Sequence, residues 1–288
     1  MLSNEAKQAI EIAKTIKAQQ SNDLKPEQVQ FLRDDADKNT SVPIPDNMEL
    51  EVLQGKVNGE LYHLKDGLKD TALLFIHGGA YMTGSVKSRR HLCFELLNRL
   101  NCDSFSVDYR QWPEAKHPAG QIDVVAAYKF LKSRYQKVIV FGESAGATLA
   151  LTLTLQMKSE GYDLPDKIAV FSPVITQINI MTSEFLNQER DPMLLGAGVP
   201  VPYFDDPYST DPLVSPINGD FTGFPPLMIN CGSEEVKYDD SKVLNYLCQK
   251  SGVDVTWDVW QDLFHVFVLF DMPETTQALN KIARFLEK

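Results

Sequence analysis

Two rhythms of apolar positions run along this chain. Residues 4–20 place Ala6, Ile10, Ala13 and Ile16 at helical spacing, which predicts a polar helix with one apolar stripe. A second helix is predicted from Pro26, a residue tolerated at a first helical position, and Asp37 to Asn47 reads as a connector. Leu50 to Leu53 and Leu61 to Leu64 predict a hairpin turning through Asn58-Gly59. From residue 71 short apolar runs alternate with longer amphipathic ones. Strands are predicted at Ala72–Ile76, Ser104–Val107, Val138–Phe141, Ile168–Phe171, Leu227–Asn230 and Val253–Val259. Helices are predicted near 87–100, 121–135, 145–158, 239–251 and 274–287. Buried strands alternating with helices imply an α/β protein, its mostly parallel sheet covered on both faces.

The stretch Val174 to Phe224 breaks this rhythm with six prolines, three of them in Asp-Pro steps. So long an interruption of a compact domain is expected to be a lid or binding loop.

A chain of 288 residues, 43% hydrophobic and 23% charged, is of ordinary soluble composition. Its net charge of −11 argues against nucleic acid or an anionic membrane as a partner, since both would be repelled. Its longest apolar runs, such as Val266 to Phe270, are too short to span a bilayer. Cys93, Cys102, Cys231 and Cys248 form no Cys-x-x-Cys pair and read as buried thiols. The charged segment Met1 to Gln20 is unlike a signal peptide, so the expected location is the cytoplasm.

Chemistry enters at Val138 to Ala150, where a strand runs into Gly142-Glu143-Ser144-Ala145-Gly146 and on into a small-residue helix. That is the form of a nucleophile elbow, with Ser144 held clear of the backbone and glycines avoiding a clash across the turn. In an open α/β sheet reactive residues sit at the carboxyl ends of strands. There, His77-Gly78-Gly79-Ala80-Tyr81 follows the first strand of the alternating region. The amides of Gly79, Ala80 and Ala145 are expected to form an oxyanion hole, with Gly78 shaping the turn. Of the five histidines, His265 lies between the last strand and the last helix, and is the candidate base. Its apolar neighbours are expected to keep it neutral. The acid should come from the loop 231–240, between serine and histidine. Asp239 and Asp240 read as helix-capping residues, and pattern leaves Glu234 and Glu235 undecided.

Over residues 70–270 these motifs resemble the hormone-sensitive-lipase-like esterases. His77-Gly78-Gly79-Ala80 is similar to that family's His-Gly-Gly-Gly, and Gly142-Glu143-Ser144-Ala145-Gly146 to its Gly-Asp-Ser-Ala-Gly. Val107-Asp108-Tyr109-Arg110 with Pro113-Glu114 and Pro118-Ala119 resembles its Asp-Tyr-Arg…Pro-Glu…Pro-Ala segment. Ser172-Pro173, Asp211-Pro212, Ser215-Pro216 and Pro225-Pro226 match its punctuation. The resemblance implies an α/β-hydrolase fold over 49–288. It also implies a small helical cap built from residues 1–48 and part of 174–224, with Tyr203, Phe204 and Tyr208 as candidate pocket residues. It implies Glu235 as the acid, because the family's acid precedes an aspartate by four residues, as Glu235 precedes Asp239. Glu143 and Ala80 depart from the family pattern and are expected to reshape the pocket entrance. The implied activity is hydrolysis of small, short-chain esters with no metal or cofactor; a homodimer is left open. Two alternatives remain: arylformamidases resemble the same pattern, and plant hormone receptors of this family resemble it without the catalytic histidine.

Overall fold

The computed structural model describes residues 2–18, 20, 24–196 and 201–287. Positions 1, 19, 21–23 and 288 of the expected divisions, and 197–200 of the proline-rich stretch, lie outside the described residues. Among the described residues eight strands form one sheet: β1 (Met48–Leu53), β2 (Gly59–Leu64), β3 (Leu68–Ile76), β4 (Cys102–Val107), β5 (Lys137–Glu143), β6 (Lys167–Phe171), β7 (Leu227–Gly232) and β8 (Val255–Trp260). The helices are α1 (Asn4–Ala18), α2 (Pro26–Thr40), α3 (Arg90–Leu100), α4 (Ala119–Lys132), α5 (Ala145–Ser159), α6 (Ser183–Leu186), α7 (Tyr238–Lys250) and α8 (Pro273–Glu287).

The strand order is β1-β2-β4-β3-β5-β6-β7-β8. β1 and β2 run antiparallel to their neighbours, and every pair from β4 to β8 is parallel. Alternate residues of each central strand feed two cores. Leu74, Ile76 and Val140 pack on one face with α4 and α5, while Leu73, Phe75, Ile139 and Phe141 pack on the other with α1, α3 and α8. Burial on both faces explains why β3 and β5 read as unbroken apolar runs.

Three sequence expectations shift. The buried stripe of α1 is Ala6, Ala9 and Ala13, whereas Ile16 is 39% exposed. Small residues let α1 lie close against α8, to which Ser3 is also tied through Glu274. The β1–β2 connection spans residues 54–58, and Gly59 already belongs to β2. A Cβ on Gly59 would lie 2.3 Å from the Ser106 carbonyl oxygen, so this glycine serves close approach to β4 rather than a two-residue turn. The 174–224 stretch is mostly irregular, with α6 as one helical turn and a 3-10 turn at Pro216–Asn218. Buried carboxylates hold it in place of a packed helical layer.

Candidate active site

Ser144 sits between the end of β5 and the start of α5 with φ 53° and ψ −120°. A non-glycine residue there costs about 1–3 kcal/mol, which the surrounding structure must offset. The Ser144 N–H donates to the Phe171 carbonyl on β6 at 2.9 Å. The two glycines meet backbone rather than each other's side chains. A Cβ on Gly142 would lie 2.3 Å from the Gly146 carbonyl oxygen, and one on Gly146 would lie 2.0 Å from that of Ile76. Gly146 therefore lets α5 seat against the end of β3.

Ser144 Oγ lies 2.9 Å from His265 Nε2, and His265 Nδ1 lies 3.1 Å from Glu235 Oε2. The chain of contacts joins three loops, after β5, β7 and β8, at the carboxyl edge of the sheet. His265 and Glu235 are buried, at 1% and 0% exposure. The apolar neighbourhood is not what governs the imidazole. Burial pushes its pKa down, but the hydrogen bond and charge of Glu235, with the charges of Asp191 and Glu143, outweigh that and leave it raised.

Glu235 Oε1 accepts the Gly232 N–H at 2.6 Å and the Ser172 hydroxyl at 2.7 Å. Glu234 points away, where it pairs with Arg190 and accepts the Ser233 hydroxyl. The capping expectation for Asp239 and Asp240 gives way to a tethering one. Asp239 accepts the Ser183 N–H and Asp240 the Ile175 N–H, each at 2.9 Å, so the first turn of α7 holds the 174–224 stretch. Of the remaining histidines, His63 on β2 pairs with Asp103 on β4 at 2.7 Å, and His91 lies in α3. His117 lies beside Tyr203 and Phe204.

The loop after β3 turns through left-handed φ values at Gly79 (107°), Ala80 (54°) and Tyr81 (59°). Among the described residues, the amides of Gly79, Ala80 and Ala145 donate to no other group. Gly78 differs: its N–H donates to Glu143 Oε1 at 2.6 Å, so it is not a free donor for an oxyanion. His77 is fully buried, and its Nδ1–H donates to the Gly78 carbonyl at 2.8 Å. Burial pushes its pKa down to about 3, and the hydrogen bond to the Gly78 carbonyl braces the loop. Nor does Glu143 shape the pocket entrance, because it is 1% exposed beneath the loop. Tyr203 is buried and stacks on Tyr81 at 4.7 Å, with Phe204 edge-on to both. Tyr208 is 72% exposed.

Residues 73–269 match the family model for the alpha/beta hydrolase fold. The chain belongs to that family. Within this hydrolase fold it is 34% identical over 222 residues to an acetyl-hydrolase of Streptomyces hygroscopicus, covering 74% of each chain. It is also 34% identical over 241 residues to an esterase of Acinetobacter venetianus, covering 80% of this chain and 78% of that one. The structure superposes on an esterase of the bacterial hormone-sensitive lipase family with a TM-score of 0.87 at 26% identity, covering 100% and 98% of the two chains. It also superposes on EstE5 soaked with p-nitrophenyl butyrate, with a TM-score of 0.89 at 26% identity over 99% and 98%. This hydrolase belongs with the hormone-sensitive-lipase-like esterases. No helix among the described residues is long and apolar enough to cross a membrane.

Sequence reasoning about this hydrolase passed over Ser172, Asp191 and Asn187. Asp191 is fully buried and accepts the Val236 N–H at 2.9 Å. Asn187 donates to the Glu235 carbonyl at 2.8 Å. Ser172-Pro173 closes β6 at the same sheet edge as the other loops, which was the available signal. Asp191-Pro192 reads only as a turn, and nothing local marks its burial.

Proposed function

We propose that this hydrolase is a serine carboxylesterase acting on small esters of short acyl chains, through Ser144, His265 and Glu235. The observation that carries the reading is His265, whose two ring nitrogens reach Ser144 Oγ at 2.9 Å and Glu235 Oε2 at 3.1 Å. Glu235 accepts from Nδ1–H, which leaves Nε2 with a lone pair toward the serine hydroxyl. Ser144 Oγ attacks the ester carbonyl carbon while Nε2 takes its proton. The imidazolium, balanced by Glu235, returns that proton to the leaving alkoxide as the tetrahedral intermediate collapses. Water then attacks the acyl-serine by the same route and frees the acid.

Negative charge on the carbonyl oxygen in both intermediates needs donors that water does not occupy in the transition state. The amides of Gly79, Ala80 and Ala145 supply them in this reading; removing one such donor costs roughly 3–4 kcal/mol elsewhere. We assign α1, α2 and part of 174–224 to a cap. Supporting this, Lys17 on α1 donates to the carbonyls of Gln188 and Asp191, and Arg33 on α2 to those of Met82 and Trp112. The short-chain preference draws on the named acetyl-hydrolase and the butyrate ester soaked into EstE5. It also draws on the packed Tyr81, Tyr203 and Phe204 beside the loop. Four buried free thiols support a reducing compartment, the cytoplasm.

The test is hydrolysis of p-nitrophenyl esters from acetate to palmitate by the wild type and Ser144→Ala. The reading expects the highest kcat/KM on acetate to butyrate, decline with chain length, and background rates in the variant. Folded wild-type protein that hydrolyses none of these esters would overturn it and direct attention to aryl formamides and ligand binding.

A further inference from the structure

We propose that Glu143 is a positioning residue, its carboxylate clamping the Gly78 amide so that the next two amides, of Gly79 and Ala80, face the reacting carbonyl. This inference rests on the esterase reading.

Glu143 is the last residue of β5 and the chain neighbour of Ser144. Its side chain turns under the loop that follows β3 and is 1% exposed. One oxygen, Oε1, accepts both the Gly78 N–H at 2.6 Å and the Arg89 Nε–H at 3.0 Å. A buried carboxylate needs a cation and hydrogen-bond donors, and here the nearest cation and the nearest loop amide provide them on one atom. The fit is close: a Cβ on Gly78 would lie 2.2 Å from Glu143 Oε2.

Three successive left-handed residues, Gly79, Ala80 and Tyr81, are an unfavourable run that needs anchoring at both ends. At the far end the Gly79 carbonyl accepts the N–H groups of Met82 and Thr83, each at 2.9 Å. At the near end Glu143 holds the Gly78 N–H and His77 Nδ1–H holds the Gly78 carbonyl. Each N–H shares a rigid plane with the carbonyl before it, so Glu143 fixes the plane that enters the loop, and the bonds on the Gly78 and Gly79 carbonyls fix the next two planes, which carry the Gly79 and Ala80 N–H groups. Glu143 thus connects the nucleophile's own strand to the oxyanion loop, so that the serine and the donors move as one body. The family pattern has aspartate here, one methylene shorter; in this chain the glutamate reaches the Gly78 N–H directly.

The test compares wild type, Glu143→Leu, Glu143→Gln and Glu143→Asp on p-nitrophenyl acetate, and measures inhibition by a short trifluoromethyl ketone. That ketone forms a hemiketal alkoxide with the serine and so reports on the oxyanion donors without turnover. Glu143→Leu is expected to lower kcat roughly tenfold to a hundredfold with KM within about twofold, and to raise the ketone's Ki by a similar factor. Glu143→Gln, which keeps an oxygen acceptor, should recover most of both. Should the leucine variant not fold, Glu143→Asp decides: it should lose at least about fivefold in kcat and in ketone affinity together. A merely structural carboxylate would lower the melting temperature and leave kcat and Ki in place. Wild-type turnover with kcat and Ki unchanged in the folded variants overturns the clamp alone. Absence of wild-type turnover on any ester overturns the esterase reading and this inference with it.

Discussion

The Ser172 hydroxyl donates to Glu235 Oε1 at 2.7 Å and, with its oxygen, accepts the Val266 N–H at 3.0 Å. One side chain at the end of β6 thereby ties Glu235 to the residue after His265. Ser172 holds a left-handed φ of 51°, so the backbone is bent to deliver that hydroxyl. Ser172→Ala leaves Glu235 with one fewer donor and the Val266 amide with no acceptor. Each buried unmet group costs about 1–3 kcal/mol. We expect a lower melting temperature and a kcat reduced roughly tenfold, with KM little changed. Thermal melts and p-nitrophenyl acetate kinetics check both.

Glu234 and Glu235 are chain neighbours facing opposite ways, one toward Arg190 and the other toward His265. Glu235→Gln keeps the shape but removes the charge that balances an imidazolium. It should lower kcat by roughly 10²–10⁴-fold, whereas Glu234→Gln should stay within about threefold of wild type. Steady-state kinetics on the two purified variants distinguishes them.

The pH profile follows from His265. Only the neutral imidazole can take the serine proton, so activity falls as pH drops through its pKa. Burial lowers that pKa, yet Glu235, Asp191 and Glu143 together leave it above the ordinary 6.5. The acidic limb of kcat/KM should therefore have its midpoint above 6.5 in the wild type. Removing the charge in Glu235→Gln should move that midpoint down. His77, pushed down to about 3 by burial, should not contribute to the limb.

Asp240 gives a stability prediction separate from catalysis. Burial, only partly offset by the charge of Lys237, raises its carboxyl from 3.8 to about 6. The folded state thus holds this proton more tightly than the unfolded chain. Its contribution to stability is fully present below pH 3.8 and is lost as pH rises through about 6. Asp240→Asn is neutral at every pH and still offers an oxygen to the Ile175 N–H. Relative to wild type it should gain stability at about pH 8 compared with about pH 5, read from urea unfolding at both.

The fold was legible where burial writes itself into composition. β3 and β5 are covered on both faces, so Ala72–Ile76 and Val138–Phe141 stand out as apolar runs between amphipathic helices. The half-buried edge strand β8 was also read, to within two residues at its start. Less legible was anything decided by direction. Motif order brought Ser144 and His265 forward as candidates, but the choice between Glu234 and Glu235 turns on which side of one loop each faces. Gly78 is legible as the residue that shapes the turn, but nothing local says that its amide points down at Glu143. The pKa of His265 depends on carboxylates at positions 143, 191 and 235, which only the folded chain brings together. Asp239 and Asp240 looked like caps because they open a helix; their partners, Ser183 and Ile175, lie in a stretch whose path no periodicity announces.

The central claim is that Ser144 is a nucleophile activated by His265. The most direct measurement is peptide mapping by mass spectrometry after treatment with diethyl p-nitrophenyl phosphate, which phosphorylates a serine only where a base activates it. The account predicts a single diethylphosphoryl adduct on Ser144, absent from Ser144→Ala and strongly slowed in His265→Ala. An adduct on another residue, or none on folded wild-type protein, would contradict it.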